Sequence, residues 1–271
     1  MSFENGVPQQ SSTGAWAGGL NMSNYSTGDV ANLAALNLTG FGQMTTGEIA
    51  AGTILRIIDR STELPDGIQY ALDFNIQNSG QYGLGVNAFS TFLTYGEIVT
   101  LSRVSGNNPG QASPGMNMSG FSLSTFDGEY VRNRWQAGFQ GVQCVTKLNN
   151  AANFHGSEYD STAPFGAWTW QRLRIEDAGG GNKRRRLKIW MGSSTDEPAA
   201  WDFDATSGNV IGAPIGGVGW AAEGIGVSTS FASVAYFAFS ENPTAVSPPA
   251  PSEIGGASAP AEYRANLSWQ T

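Results

Sequence analysis

Few side chains in this chain of 271 residues have types and spacings suited to bond-making chemistry. It holds one histidine, His155, and one cysteine, Cys144. Any Ser-His-Asp relay would have to run through His155, and a lone cysteine forms neither an intrachain disulfide nor a cysteine-ligated zinc site. His155 stands in NNAANFHGSEYDS, a small, polar stretch that reads as a loop, so an exposed loop histidine is expected rather than a general base. Asp202 and Asp204 alternate in WDFDAT. Two carboxylates about 5 Å apart serve retaining glycoside hydrolysis, but no third partner of the E-x-D-x-x-E kind is present. Calcium would need six or more converging oxygens, which spacing alone does not supply here. EYDS at Asp160 and STDE at Asp196 have the same standing, and no G-x-S-x-G elbow or phosphate loop occurs. The sequence predicts no catalytic residue, no metal ligand and no cofactor.

The chemistry it does offer is aromatic and cationic. WTWQRLRIE and RRLKIWM read as facing strands, in which successive side chains alternate between faces. Leu173 and Ile175 then share a face with Thr169 and Gln171, and Leu187 shares one with Ile189 and Met191; these faces are expected to meet in a core between sheets. The opposite face gathers Trp168, Trp170, Arg172 and Arg174 beside Arg186, Lys188 and Trp190. Rings beside guanidinium groups make cation–π ladders of about 0.5–1 kcal/mol each when exposed. They also form platforms on which a sugar ring or a neighbouring subunit can lie. Both readings stand: a structural ladder on a partly covered sheet, or a carbohydrate- or partner-binding surface. The run KRRR at 183–186 follows GGGN, with Glu176 and Asp177 on the incoming strand, so cross-strand neutralisation is expected rather than polyanion binding.

The elements that must position these residues are strands. From residue 49 to 242, short period-two runs alternate with turn signals such as NSG, TYG and SGNNPG, and no long helical pattern occurs. This predicts an all-β, antiparallel two-sheet jelly-roll sandwich; GQASPGMNMSGFS is read as a loop within it. Residues 1–48, with Glu4 and Asp29 as the only charges up to about Gly47, lack core periodicity over that stretch beyond a turn or two of helix at 30–38. They are read as an extended arm whose Trp16, Tyr25 and Phe41 anchor on another surface. Residues 243–271 begin as a Pro-rich strap and end in a short tail, with Tyr263 and Trp269 as further anchors.

Charged residues make up 13% of the chain, about half the usual share near 25%, and there are 36 glycines. A net charge of −8 with 14 basic residues speaks against nucleic acid. No apolar stretch reaches the roughly 18–20 residues of a membrane span, and the opening MSFENGV lacks the basic, apolar design of a secretory signal, which predicts synthesis in a cytoplasm.

The stretch from Trp168 to Ser240 resembles the C-terminal half of concanavalin A-like, laminin G-like jelly rolls. The resemblance rests on the Trp-led strand with Arg172, Leu173, Arg174 and Ile175, the return strand with Lys188, Ile189 and Trp190, and Glu197 to Trp201. The family includes lectins, polysaccharide hydrolases, adhesion modules and modules on bacteriophage particles, so the fold alone selects no function. A cysteine-poor jelly roll with an uncharged arm and a Pro-rich strap resembles structural proteins of tailed bacteriophages. That resemblance implies a non-enzymatic virion protein, a capsid decoration or a tail or fibre component, which associates with itself and other virion proteins and displays a lectin-like sandwich toward host-surface glycan. A stand-alone lectin and a glycan hydrolase are the alternatives.

Overall fold

The computed structural model describes residues 9–10, 16–21, 28–30, 44–45, 54–76, 81–86, 95–106, 110–118, 128–136, 139–149, 151–160, 166–208, 217–224 and 230–240. Among them lie strands β1 (Gln9–Gln10), β2 (Trp16–Asn21), β3 (Gly28–Val30), β4 (Met44–Thr45), β5 (Ile54–Asp59) and β6 (Tyr70–Ile76). Next come β7 (Gln81–Val86), β8 (Gly96–Gly106), β9 (Gly110–Met118), β10 (Gly128–Gln136), β11 (Phe139–Leu148) and β12 (Ala151–Asp160). The rest are β13 (Thr169–Gly179), β14 (Asn182–Trp190), β15 (Phe203–Ser207), β16 (Gly217–Gly224) and β17 (Ser230–Ser240), with a 3-10 turn at Ser194–Asp196. Two antiparallel sheets result. The larger runs β15-β14-β13-β8-β17-β6-β5-β3, with β2 beside β17 and β1 beside β2; the smaller runs β12-β11-β10-β9-β16-β7-β4. This is the expected antiparallel two-sheet sandwich.

The β13–β14 hairpin shows why the chain folds this way locally. Gly180 and Gly181 form its two-residue loop at φ +61° and +79°, the left-handed pair whose twist matches the flanking strands and which favours glycine. The loop, together with a register shift between Asp177 and Gly179, sets a ladder that pairs Trp170 with Trp190 and Leu173 with Leu187. On β17 the register shifts between Val234 and Tyr236. Ala235 and Tyr236 therefore both join the cluster on the outer face of the larger sheet, as a β-bulge allows.

Two segments read as loops are strands. Residues 110–118 form β9, between β10 and β16, where the ladder to β10 engages Met116, Gly115 and Gln111 on either side of Pro114, which has no N–H to give. Residues 151–160 form β12, the edge of the smaller sheet, paired along β11; an edge position tolerates its small, polar sequence. Part of the segment read as an arm also lies on this chain's own sandwich: β2 pairs with β17, β3 with β5 and β4 with β7. Main-chain pairing does there what side-chain periodicity did not signal. Trp16 opens β2 and Val30 closes β3; residues 31–38, Tyr25, Phe41, Tyr263 and Trp269 lie outside the described residues.

The larger sheet is covered on both faces. Its inner face sets Ile98, Leu173, Ile175 and Leu187 toward Val131 and Cys144 of the smaller sheet, all buried. Its outer face carries a second core of Leu64, Ile68, Val99, Leu101, Trp170, Trp190 and Tyr236. Residues 60–69 fold back over that face, with Arg60 N donating to Gln69 O at 2.7 Å and Leu64 N to Arg60 O at 2.9 Å, and so press Leu64 and Ile68 onto the strands. Asp66, at φ +60°, fastens this cover to the next one: its carboxylate accepts from Ser193 Oγ at 2.5 Å and Ser194 N at 2.6 Å.

Trp170 is fully buried, and truncating a buried aromatic costs about 3–5 kcal/mol. Trp170→Ala should lower the unfolding free energy by about that much in denaturant melts; a loss below about 1 kcal/mol would mean that the outer cover is not packed.

Candidate functional site

The structure brings Trp168, Trp170, Arg172, Arg174, Arg186, Lys188 and Trp190 together on the outer face of β13 and β14, and it also covers them. Trp170 stacks on Trp190 with ring centroids 5.9 Å apart and meets Tyr236 at 5.6 Å. The two indole N–H groups donate to the carbonyls of Gly192 and Ser193, each at 3.2 Å, which lays the chain after β14 across the rings. Beyond the rings, Arg172 bridges Glu97 and Glu197, Arg174 also pairs with Glu97, and Lys188 reaches Glu197 at 2.9 Å. Trp201 roofs this row, with the cationic groups of Arg174, Arg186 and Lys188 all within 5.0 Å of its ring centroid.

Of the two readings of this face, Trp170 and Trp190 have the geometry of the ladder on a covered sheet, not of an open platform. The physical reason lies in residues 60–69 and 192–201, which lie across this face. Burial pushes the Glu97 carboxyl up against the pull of Arg172 and Arg174. At Glu197 burial acts in the same direction, but Arg172 and Lys188 outweigh it and hold the carboxyl below its ordinary value.

Trp168 belongs to the same buried cluster and lies at the rim of the covered face. Beside it opens a cleft of about 410 Å³, walled by Thr62, Glu63 and Pro65 from the cover and by Arg103, Ala167 and Trp168 from the sheet side. The Arg103 guanidinium lies 4.7 Å from the Trp168 ring centroid and forms an ion pair with Glu63, which also bonds Arg60 at 3.0 Å; Arg60 in turn pairs with Asp73. Burial alone would raise the Glu63 carboxyl, but Arg103 and Arg60 outweigh it and hold it below the usual range. Trp168 Nε1 and Arg103 Nε are buried and have no hydrogen-bond partner among the described residues. Sequence reasoning missed Glu63 and Arg103; the signal was the apolar pair Leu64 and Ile68 inside an otherwise polar turn, which marks a segment packed onto the sheet.

The KRRR run divides. Arg184 binds Asp204 at 2.7 and 2.5 Å and Arg186 pairs with Glu176, so cross-strand neutralisation holds for these two. Lys183 and Arg185 instead point between the sheets, where each lies 2.7 Å from the buried Glu129 of β10. Arg185 also donates to Thr146 Oγ1 at 3.0 Å and to Ser207 Oγ at 3.2 Å. Those hydroxyls flank the imidazole of His155, with Thr146 Oγ1 2.7 Å from Nε2 and Ser207 Oγ 2.8 Å from Nδ1. His155 is thus a buried residue of β12, not an exposed loop histidine.

Burial and the nearby Arg185 push the His155 pKa down to about 4, so the ring is neutral at pH 7. Neither contact to its nitrogens is a carboxylate, and the arrangement lacks the acid that orients a hydrolytic histidine. Asp202 and Asp204 are engaged as well: Asp202 Oδ2 accepts from Ile189 N at 2.7 Å and Asp204 holds Arg184. No group of three or more His, Cys, Asp or Glu side chains that could hold a metal ion occurs among the described residues.

No protein-family model matches the sequence. No curated protein matches it either. Among solved structures, the chain is similar to a protein of unknown function, SO2946 from Shewanella oneidensis MR-1, at 10% identity over 92% of this chain and 93% of that one, with a TM-score of 0.48. It is also similar to the exoplasmic/lumenal domain of VIP36 in its Ca2+/Man3GlcNAc-bound form, at 14% identity over 65% and 81% and a TM-score of 0.42. A prokaryotic β-1,3-1,4-glucanase from a mouse hindgut metagenome matches at 14% identity over 84% and 99%, with a TM-score of 0.38.

The unfolded chain protonates His155 near pH 6.5 and the folded chain only near pH 4. Between these values the unfolded state binds more protons, so this group makes stability fall as pH is lowered, by up to roughly 1.4 kcal/mol per pH unit. Urea melts from pH 7 to 4 should show that decline, and His155→Gln should flatten it. An unchanged slope in the variant would place the histidine in water.

Proposed function

We propose that the chain is a non-catalytic structural component of a bacteriophage particle, a capsid decoration or a tail or fibre protein, whose lectin-like sandwich is displayed toward glycan on the host surface. The observation that supports the structural role is the use made of residues 1–48. This segment, with Glu4 and Asp29 as its only charges up to Gly47, adds β2 and β3 to the larger sheet and β4 to the smaller by main-chain pairing. Strand addition of this kind is equally available to a neighbouring subunit, and it suits a protein made in a host cytoplasm and built into a particle with copies of itself and other virion proteins. The low charge fits the same reading, because a free surface usually carries about 25–35% charged residues, against 13% for this whole chain.

A stand-alone carbohydrate-binding lectin is the second reading, favoured by the cleft at Trp168. Hydrolysis of a polysaccharide is the weakest, since Asp202 and Asp204 are both spent on local bonds.

Particles purified on a density gradient should contain this chain in fixed stoichiometry, and removal of residues 1–45 should prevent its incorporation. A chain that is monomeric by light scattering, and whose truncated form enters particles unchanged, would contradict the structural role.

A further inference from the structure

We propose that the cleft beside Trp168 is a binding site for an uncharged sugar ring, with Glu63 and Arg103 gripping adjacent hydroxyl groups. The proposal rests on the glycan-binding reading above and adds to it a location and a ligand class. The site belongs to the outer face of the larger sheet, at the edge of the cover formed by residues 60–69.

Its size and lining suit such a ligand. At about 410 Å³ the cleft falls within the roughly 300–1,000 Å³ of small-ligand sites. Pro65 and Trp168 give it an apolar wall, while Ala167 and Gly166, at φ +84°, allow close approach to the main chain. A sugar presents apolar C–H groups together with hydroxyls that both donate and accept, so it needs a donor and an acceptor side by side against an apolar surface. Glu63 and Arg103 are that pair. Each carboxylate oxygen of Glu63 carries one bond from an arginine and keeps a second lone pair, and the residue is exposed at the cleft. Arg103 gives Glu63 one Nη1 bond and carries further Nη–H donors, and Thr62 is exposed at the cleft.

Charge selects the class. The two charged residues that line the cleft, Glu63 and Arg103, offset each other, so its lining favours neither an acidic nor a basic ligand. It is also preorganised: Arg103 is held between the Trp168 ring and Glu63 before any ligand arrives, which spares the ordering cost of binding.

The test uses the full chain on an array of immobilised neutral and acidic glycans, followed by calorimetry with the best neutral oligosaccharide. Thr62→Trp fills the mouth of the cleft from an exposed position, and Glu63→Gln removes the charge-assisted acceptor while keeping its shape; melting curves verify that each variant folds. Binding of neutral glycans that is lost in Thr62→Trp and weakened about tenfold or more in Glu63→Gln is expected. Neutral glycan binding that both folded variants retain in full would overturn the site and leave the glycan reading standing. Binding confined to acidic glycans would overturn the ligand class. Binding to no glycan of either kind would overturn the glycan reading, and the site with it.

Discussion

Glu129 is a wholly buried carboxylate that β10 sets between the two sheets, and two cations from β14, Lys183 and Arg185, converge on it. Three charges in a dry interior are tolerable only if each is paired and hydrogen-bonded, because removing one partner leaves a buried charge uncompensated at a cost of about 3–5 kcal/mol. The arrangement keys the sheets to one another: Lys183 and Arg185, set on β14 in its register with β13, both reach Glu129 across the gap. Thr146, His155 and Ser207 extend the network to both sheet edges, through β11, β12 and β15.

The same strand parity that sends Lys183 and Arg185 inward sends Arg184, Arg186 and Lys188 outward, where carboxylates and the Trp201 ring receive them. The larger sheet therefore sits between two covered faces, and cations that looked like a binding surface are used in holding its covers. What stays open is the rim, where residues 62–65 leave the sheet beside Arg103 and Trp168. There the cover ends, and Thr62 and Glu63 stand exposed beside an Arg103 fixed between Glu63 and the Trp168 ring.

Period two made the sandwich legible, and it placed the turn of the β13–β14 hairpin, because alternation and glycine turns are local properties of the chain. It also gathered the seven aromatic and cationic residues on one face. It did not reveal that this face is covered: Asp66 reaches Ser193 across more than a hundred residues, a contact that no local pattern encodes. The inward turn of Lys183 and Arg185 was available in principle, since both share the parity of Leu187, but a run of four cations reads more naturally as a solvated hairpin. β9 and β12 were hidden because glycine, proline and small polar residues signal turns, whereas neighbouring strands recruited them by main-chain pairing. Glu63 and Arg103 lie forty residues apart and meet only through the fold.

The central claim, that one carboxylate keys the two sheets, is tested most directly by a double-mutant cycle with Glu129→Gln and Arg185→Met, measured by urea unfolding at pH 7. Residues within one ion-pair network show coupling energies of about 0.5–3 kcal/mol. A coupling in the upper half of that range, with each single variant clearly destabilised, is the result this account predicts. Additive effects, with coupling indistinguishable from zero, would contradict it and would mean that Lys183 and Arg185 do not face the other sheet.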